Sequence, residues 1–282
     1  MILQTGDEVR LERPHLKGND NFYWLSGRSF FLGKSLMEQK RKKWLYYFEL
    51  LDALKASGCP LCNRVKELSY KFLDNLYYER VLDGGTRVGL IKAKGFCNWH
   101  AWMSAEIRNS DSGIAIIYKQ LLDIEIEKLS KWTRARGPSD TKLKPKTWKK
   151  YLNTILSSWT NKTSCLICEA VQEHERFDEG VLLDFIDEEE FSREFEKSSG
   201  ICIGHLVRVM ETFGGHPNLL LLIEKQLHKY TFLSYELGEY DRKRAYQFSN
   251  EPKGSEVDSW KRVLEQFAGH REVFGNEMDH RR

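Results

Sequence analysis

The sequence predicts an all-α protein made of two tandem helical repeats, each built round a CxxC…CxxH site, with a short extended or β arm at the N-terminus. Three observations support this. Apolar residues recur at intervals of three and four, a pair of cysteine motifs occurs twice, and all six cysteines of the 282 residues lie in those motifs. A mean hydropathy of −0.55 and a net charge of +3 indicate a soluble globular chain and no general affinity for nucleic acid.

Two cysteine motifs occur twice along the chain. Cys59-Pro60-Leu61-Cys62 is followed by Gly95-Phe96-Cys97-Asn98-Trp99-His100, and Cys165-Leu166-Ile167-Cys168 is followed by Gly200-Ile201-Cys202-Ile203-Gly204-His205. Equivalent cysteines are 106 positions apart in the first motif (165 − 59) and 105 in the second (202 − 97). Because both motifs and both spacings repeat, the pattern indicates an internal duplication.

The first repeat is predicted over residues 38–133, after an N-terminal arm over residues 1–37. Short aromatic runs between polar and glycine residues favour an extended arm. A helix over 38–57 follows, with Trp44, Tyr47, Phe48, Leu51 and Leu54 as its inner stripe. Further helices are expected from Cys62 to about Val81, from about Ala101, and from Ile114 to about Trp132, with a turn over 83–86.

A basic linker over residues 134–147 is expected to join the repeats, because it combines proline, glycine and dense charge. The second repeat covers 148–238 and has the same plan, ending in a long helix from Leu219 to about Leu237. The tail over 239–282 contains one more helix. Its predicted inner stripe consists of Val257, Trp260, Val263, Leu264 and Phe267.

The motifs predict two metal sites with three cysteines and one histidine each. The predicted ligands are, for the first repeat, Cys59, Cys62, Cys97 and His100, and for the second, Cys165, Cys168, Cys202 and His205. Such sets suit Zn²⁺, and a closed four-ligand zinc site is structural, which favours a scaffold or interaction protein. Two 4Fe-4S clusters for electron transfer or redox sensing are an alternative. A thiol–disulfide oxidoreductase using Cys59 and Cys62, or structural disulfides, are further alternatives.

Carboxylates near the motifs are candidates for orienting the histidine ligands. Glu67 and Glu173 each lie five positions after the second cysteine of a CxxC motif (67 − 62 and 173 − 168). A carboxylate that accepts a hydrogen bond from a ligand histidine fixes the ring orientation. No familiar enzyme motif is present, so the sequence assigns no catalytic residue.

Compartment and partners follow from composition. No long apolar run is present, so no transmembrane helix is expected, and no signal peptide is visible at the N-terminus. We therefore expect a cytoplasmic protein with reduced thiols and a protein partner. The basic stretch over 128–150 is a candidate phosphate-binding patch, although the sequence favours a solvated linker there.

Several of these segments together resemble an uncharacterised prokaryotic family, domain of unknown function 6062. The resemblance rests on Cys59-Pro60-Leu61-Cys62, Gly95-Phe96-Cys97 with His100, Gly113 to Tyr118, Tyr246-Gln247-Phe248 and Ser259-Trp260, over roughly residues 38–270. It implies a bacterial or archaeal cytoplasmic protein. It implies no substrate, because the family has no known activity.

Overall fold

The computed structural model describes residues 31–135, 152–154, 156–157, 163–248, 250–271 and 273. The chain divides into two units, residues 1–41 and 42–282, and the hydrophobic cores belong to the second unit. Residues 1–30 of the predicted arm (1–37) and residues 136–147 of the predicted linker (134–147) lie outside the described residues. Within the described part of the chain, no helix has the length and apolar character needed to cross a bilayer.

The described residues form helices and connecting turns, with no strand among them, so the all-α prediction is confirmed. The helices are α1 (Phe31–Lys55), α2 (Pro60–Asn75), α3 (Gly84–Ala93), α4 (Asn98–Ser104), α5 (Asp111–Ala135), α6 (Leu166–Phe185), α7 (Glu189–Lys197), α8 (Ile203–Phe213), α9 (Leu219–Arg242) and α10 (Ser259–Ala268). A π-helical turn, Leu76–Arg80, extends α2, and 3₁₀ turns lie at Tyr246–Phe248 and Ser255–Asp258.

Three predicted boundaries are wrong. Helix α1 begins at Phe31, so the last seven residues of the predicted arm are helical. The predicted turn over 83–86 opens α3, because the Asp83 carboxylate accepts a hydrogen bond from the Thr86 N–H (2.7 Å) and caps the helix. Helix α4 begins at Asn98, earlier than predicted, with Cys97 as its N-cap.

The predicted inner stripe of the tail helix faces outward. Trp260 and Phe267 are 44% and 72% exposed, whereas Ser259 and Gln266, each one position earlier on an adjacent face of the helix, are buried. Polar contacts determine this orientation: Gln266 Nε2 donates to the Ser199 carbonyl (3.0 Å), and Arg262 forms an ion pair with Glu236 (2.7 Å). In α1, likewise, Trp44 and Phe48 are exposed while Tyr47, Leu51 and Leu54 are buried as predicted.

Two hydrophobic cores lie in the 42–282 unit, and each contains residues from both sequence repeats. The first core combines α1 and the start of α2 with the later part of α6 and helices α7, α8 and α9. The second combines the rest of α2 and helices α3, α4 and α5 with Cys165, Ile167 and Val171 at the start of α6. Neither repeat therefore encloses a core of its own.

Helices α2 and α6 pack against each other and join the two cores. Buried Arg64 of α2 forms ion pairs with Asp178 of α6 (3.3 Å), with Glu67 (2.9 Å) and with Glu49 of α1. Burial raises the pKa of Asp178 to about 7, although the charge of Arg64 opposes the rise. This network ties α1, α2 and α6 together at the boundary between the cores.

Candidate metal centres

The eight predicted ligands form two clusters, but the halves of each cluster come from different repeats. Site A consists of Cys59, Cys62, Cys202 and His205, and site B of Cys97, His100, Cys165 and Cys168. Within each site all ligand atoms lie within 4.8 Å of one another. The prediction that each repeat completes its own site is therefore wrong. Because α2 packs along α6, the CxxC motif at the start of each helix meets the CxxH motif of the other repeat.

All eight ligands lie at helix N-termini. Cys59, Cys97, Cys165 and Cys202 are the N-cap residues of α2, α4, α6 and α8, with extended backbone angles and no side-chain cap hydrogen bond. The second ligand of each motif is the third residue of the same helix, so the two side chains converge at the helix end. Two helix N-termini meet at each site. Their partial positive charge favours ionised thiols.

Glycines set the backbone path into the CxxH motifs. Gly95 and Gly200, two positions before Cys97 and Cys202, have φ values of 91° and 72°. A Cβ atom at Gly200 would lie 2.4 Å from Gln226 Oε1, the atom that accepts a hydrogen bond from the Ile201 N–H. Other residues at these positions would be strained.

The two sites have almost the same internal geometry. In site A the Nδ1 atom of His205 lies 3.5, 3.4 and 3.2 Å from the sulfurs of Cys59, Cys62 and Cys202. In site B the corresponding distances from His100 to Cys165, Cys168 and Cys97 are 3.6, 3.4 and 3.2 Å. One sulfur pair per site is 3.8 Å (Cys62–Cys202) or 3.7 Å (Cys97–Cys168) apart. Corresponding distances in the two sites thus agree to within about a tenth of an ångström.

The outer nitrogen of each histidine contacts an equivalent position in the two repeats. Nε2 of His205 lies 2.7 Å from Glu175 Oε1, and Nε2 of His100 lies 3.0 Å from Ser69 Oγ. Ser69 and Glu175 are 106 positions apart (175 − 69), like the CxxC motifs. Because the Ser69 hydroxyl donates to the Val65 carbonyl (2.7 Å), its oxygen accepts the Nε2–H of His100 and leaves Nδ1 free for the thiols.

The predicted orienting residues, Glu67 and Glu173, do not contact the histidines. Glu67 pairs with Arg64 and Lys71, and Glu173 is exposed. The residues that do contact the histidines lie two positions farther along each helix. Ser69 and Glu175 are seven residues, or two helical turns, after the second cysteine and therefore on the same helix face as that cysteine. The difference between a serine and a glutamate concealed this equivalence in the sequence.

Each CxxC helix therefore serves both sites. Helix α2 supplies two cysteines to site A from its first turn, and Ser69 to site B about 10 Å farther along its axis. Helix α6 does the reverse, with Cys165 and Cys168 in site B and Glu175 at site A. Each residue of site A thus has its counterpart in site B at the equivalent position of the other repeat.

The sites differ in burial. All four ligands of site A are buried, and the N–H of His270 donates to Cys62 Sγ (3.3 Å). In site B, Cys97 and Cys168 are only half-buried. Glu175 at site A also pairs with Arg208 (2.8 Å), whereas Ser69 at site B is uncharged.

Without a cation, the crowded thiols ionise unequally. Burial opposes ionisation of Cys59, but hydrogen bonds from Cys202 and Cys62 and the charge of His205 outweigh it and hold the pKa of Cys59 well below its usual value. Hydrogen bonds with Cys202 and Cys59, together with burial, raise the pKa of Cys62. A divalent cation at the centre would stabilise all three thiolates together.

We expect Glu175→Gln to weaken metal binding at site A by about 10- to 100-fold, because the carboxylate orients His205 and stabilises the proton on its Nε2. Ser69→Ala should weaken site B by a smaller factor, since it removes a neutral hydrogen bond. Competition with a chromogenic chelator measures both affinities.

Glu67→Gln and Glu173→Gln are matched controls, because these carboxylates lie on the same helices and do not contact a ligand histidine. Both should leave the two affinities unchanged. A loss at Glu173→Gln equal to that at Glu175→Gln would contradict the assignment.

A sequence model described as "Family of unknown function (DUF6062)" matches residues 40–272. No curated protein and no solved structure matches the chain. The matched range includes all eight ligands, Ser69, Glu175 and the tail helix α10. The resemblance found in the sequence is confirmed, and the chain belongs to the DUF6062 family.

Proposed function

We propose that sites A and B each bind one Zn²⁺ ion, and that the two ions stabilise a helical scaffold that binds a protein partner. The main support for this proposal comes from the distances between the ligand atoms within each site. Tetrahedral zinc with Zn–S of about 2.3 Å and Zn–N of about 2.0 Å places sulfurs roughly 3.8 Å apart and sulfur and nitrogen roughly 3.5 Å apart. The sulfur pairs at 3.7 and 3.8 Å and the sulfur–nitrogen distances of 3.2 to 3.6 Å fit a single ion.

The same distances count against the alternative of two iron–sulfur clusters. In a 4Fe-4S cluster each protein ligand binds a different iron, so the ligands surround the whole cluster and lie far apart. Ligand atoms within 4.8 Å of one another leave no room for such a cluster.

Burial counts against a thiol–disulfide oxidoreductase at Cys59 and Cys62. A dithiol that exchanges with other proteins needs an accessible nucleophilic sulfur. Cys59 and Cys62 are 2% and 0% exposed, and both face His205.

A structural role fits the position of the ligands in the chain. Each site has four protein ligands and no open coordination position, which is the arrangement of structural zinc. Site A joins α2 to α8, and site B joins α4 to α6, so each ion links helices of both repeats. We place the protein in a reducing compartment such as the cytoplasm, where thiolates remain available for metal.

Exposed apolar residues support a protein partner. Val257, Trp260, Leu264 and Phe267 recur at three- and four-residue spacing along the tail and are 44–72% exposed. Apolar surface at helical spacing is typical of helix-mediated contacts with other proteins. The basic stretch proposed for phosphate lies largely outside the described residues, and Lys128 and Lys131 within it pair with Glu125 and Glu127.

Metal analysis of the purified full-length protein tests the zinc assignment. We expect two zinc ions per chain and a colourless solution, because Zn²⁺ has a filled d shell. A brown protein that contains iron and acid-labile sulfide would contradict the proposal and favour the cluster alternative. A protein that contains no metal would refute both.

A further inference from the structure

A cavity of about 260 Å³ opens onto site B. Cys168 and His100 form one side of it, Val65 and Trp99 contribute apolar surface, and Gln172 and Arg208 contribute polar groups. Cys168 is the one cysteine that lines this cavity. A small molecule that enters the cavity therefore meets a metal-binding sulfur.

The equivalent sulfur in site A is protected. Cys62 and Cys168 are 106 positions apart (168 − 62) and occupy the same position in their motifs. The tail covers Cys62, which is fully buried and accepts a hydrogen bond from the His270 N–H at 3.3 Å. Cys168 is half-buried, and its side-chain hydrogen-bond contacts in the described part of the chain are with its own site, namely Cys97, His100 and Cys165.

These differences affect reactivity. A sulfur atom reacts as a nucleophile when it is ionised and when an electrophile can approach it. Metal coordination keeps both sulfurs ionised, so access and hydrogen bonding decide between them. A hydrogen bond withdraws electron density from Cys62, and burial blocks its approach. Cys168 is only half-buried, and within the residues that the structure describes it accepts no hydrogen bond from outside its own site.

We infer that Cys168 is a modification site, the preferred target in this protein of small uncharged electrophiles such as hydrogen peroxide. The inference rests on the proposed function, because a bound metal ion is what keeps Cys168 ionised. Val65, Trp99 and Val273 form an apolar part of the lining, and Glu175 and Arg208, which also line the cavity, neutralise each other in an ion pair, so the cavity suits a small uncharged reagent.

The reaction with peroxide proceeds in two steps. The Cys168 thiolate attacks one peroxide oxygen, the O–O bond breaks, and hydroxide leaves, so that sulfur becomes a sulfenic acid. The Cys97 thiolate, 3.7 Å away, then attacks this sulfur, a disulfide forms, and a second hydroxide leaves. Two thiolates lose two electrons in total, and one peroxide gains them. Cys165 and His100 alone do not retain the metal ion, which is released from site B.

The experiment uses the full-length protein loaded with two zinc ions. One equivalent of hydrogen peroxide is added, a chromogenic chelator follows zinc release, and peptide mass spectrometry locates the oxidised cysteines. We expect a Cys97–Cys168 disulfide and release of one zinc ion, with Cys59, Cys62 and Cys202 unmodified. Limiting iodoacetamide, which alkylates without oxidation, should also modify Cys168 first.

Two variants with the same new side chain provide a control. Gln172→Trp narrows the cavity, because Gln172 lines it, whereas Glu173 is exposed and does not line it. We expect the reaction at Cys168 to slow by about ten-fold or more in Gln172→Trp and to be unchanged in Glu173→Trp. Both variants should still bind two zinc ions.

Two outcomes would overturn the inference. If Cys62 reacts as fast as Cys168, or if both zinc ions leave together, the difference between the sites does not control reactivity, while the proposed function stands. If the purified protein binds no metal, both proposals fail.

Discussion

We expect that removal of the two proposed zinc ions will abolish the cooperative thermal unfolding of the protein. Structural zinc sites contribute about 10–16 kcal/mol to the folding of zinc-finger peptides, and a typical domain is stable by only about 5–15 kcal/mol. Here the ligands also belong to the cores, since Cys59, Cys62 and Cys202 lie in one and Cys165 in the other. An empty site therefore leaves buried thiols and an imidazole without their common counter-charge.

The measurement is circular dichroism against temperature after the metal has been removed with a chelator in denaturant and the chelator dialysed away. We expect a broad, shallow transition, and recovery of a sharp one when two equivalents of Zn²⁺ are added. Chelator already saturated with zinc is the control for direct effects of the reagent. If the metal-free protein keeps the melting temperature of the zinc-bound protein, the proposed structural role of the metal is wrong.

The second large effect concerns the pairing of the motifs. The double variant Cys62→Ser, Cys202→Ser removes two ligands from site A and leaves site B complete. We expect this variant to retain one zinc ion per chain. The double variant Cys62→Ser, Cys97→Ser removes one ligand from each site, although both residues belong to the first repeat. We expect this variant to lose tight binding of both ions.

The two variants are matched, because each replaces two cysteines with serines and shares the Cys62 substitution. Metal content after gel filtration distinguishes them. The reverse result, one ion in Cys62→Ser, Cys97→Ser and none in Cys62→Ser, Cys202→Ser, would mean that each repeat completes its own site. That result would contradict the geometry of both sites.

Several features were predictable from local pattern. The three- and four-residue apolar spacing over 38–57 predicted that Tyr47, Leu51 and Leu54 lie on the buried face of α1, and these residues are buried. The repeated motifs identified all eight residues of the two clusters. Such features depend on neighbours within a few residues along the chain, which the sequence shows directly.

Other features were predicted wrongly because distant residues decide them. The apolar stripe of α10 implied that Trp260 and Phe267 face inward, but the contacts of Gln266 with Ser199 and of Arg262 with Glu236 turn that face outward. Glu67 was expected beside a histidine and pairs instead with Arg64, whose burial depends on Asp178 in the other repeat. Periodicity gives no information about such partners.

The sequence by itself determined that this chain is helical and that its CxxC and CxxH motifs each occur twice, with six cysteines and two histidines between them. Only the tertiary structure decided which halves meet. Local spacing brings together residues of one helical turn, so it defines each CxxC and CxxH motif. Because α2 packs along α6, the CxxC motif of each repeat lies against the CxxH motif of the other repeat. The tertiary structure also places the tail over Cys62 of site A and leaves Cys168 of site B beside a cavity.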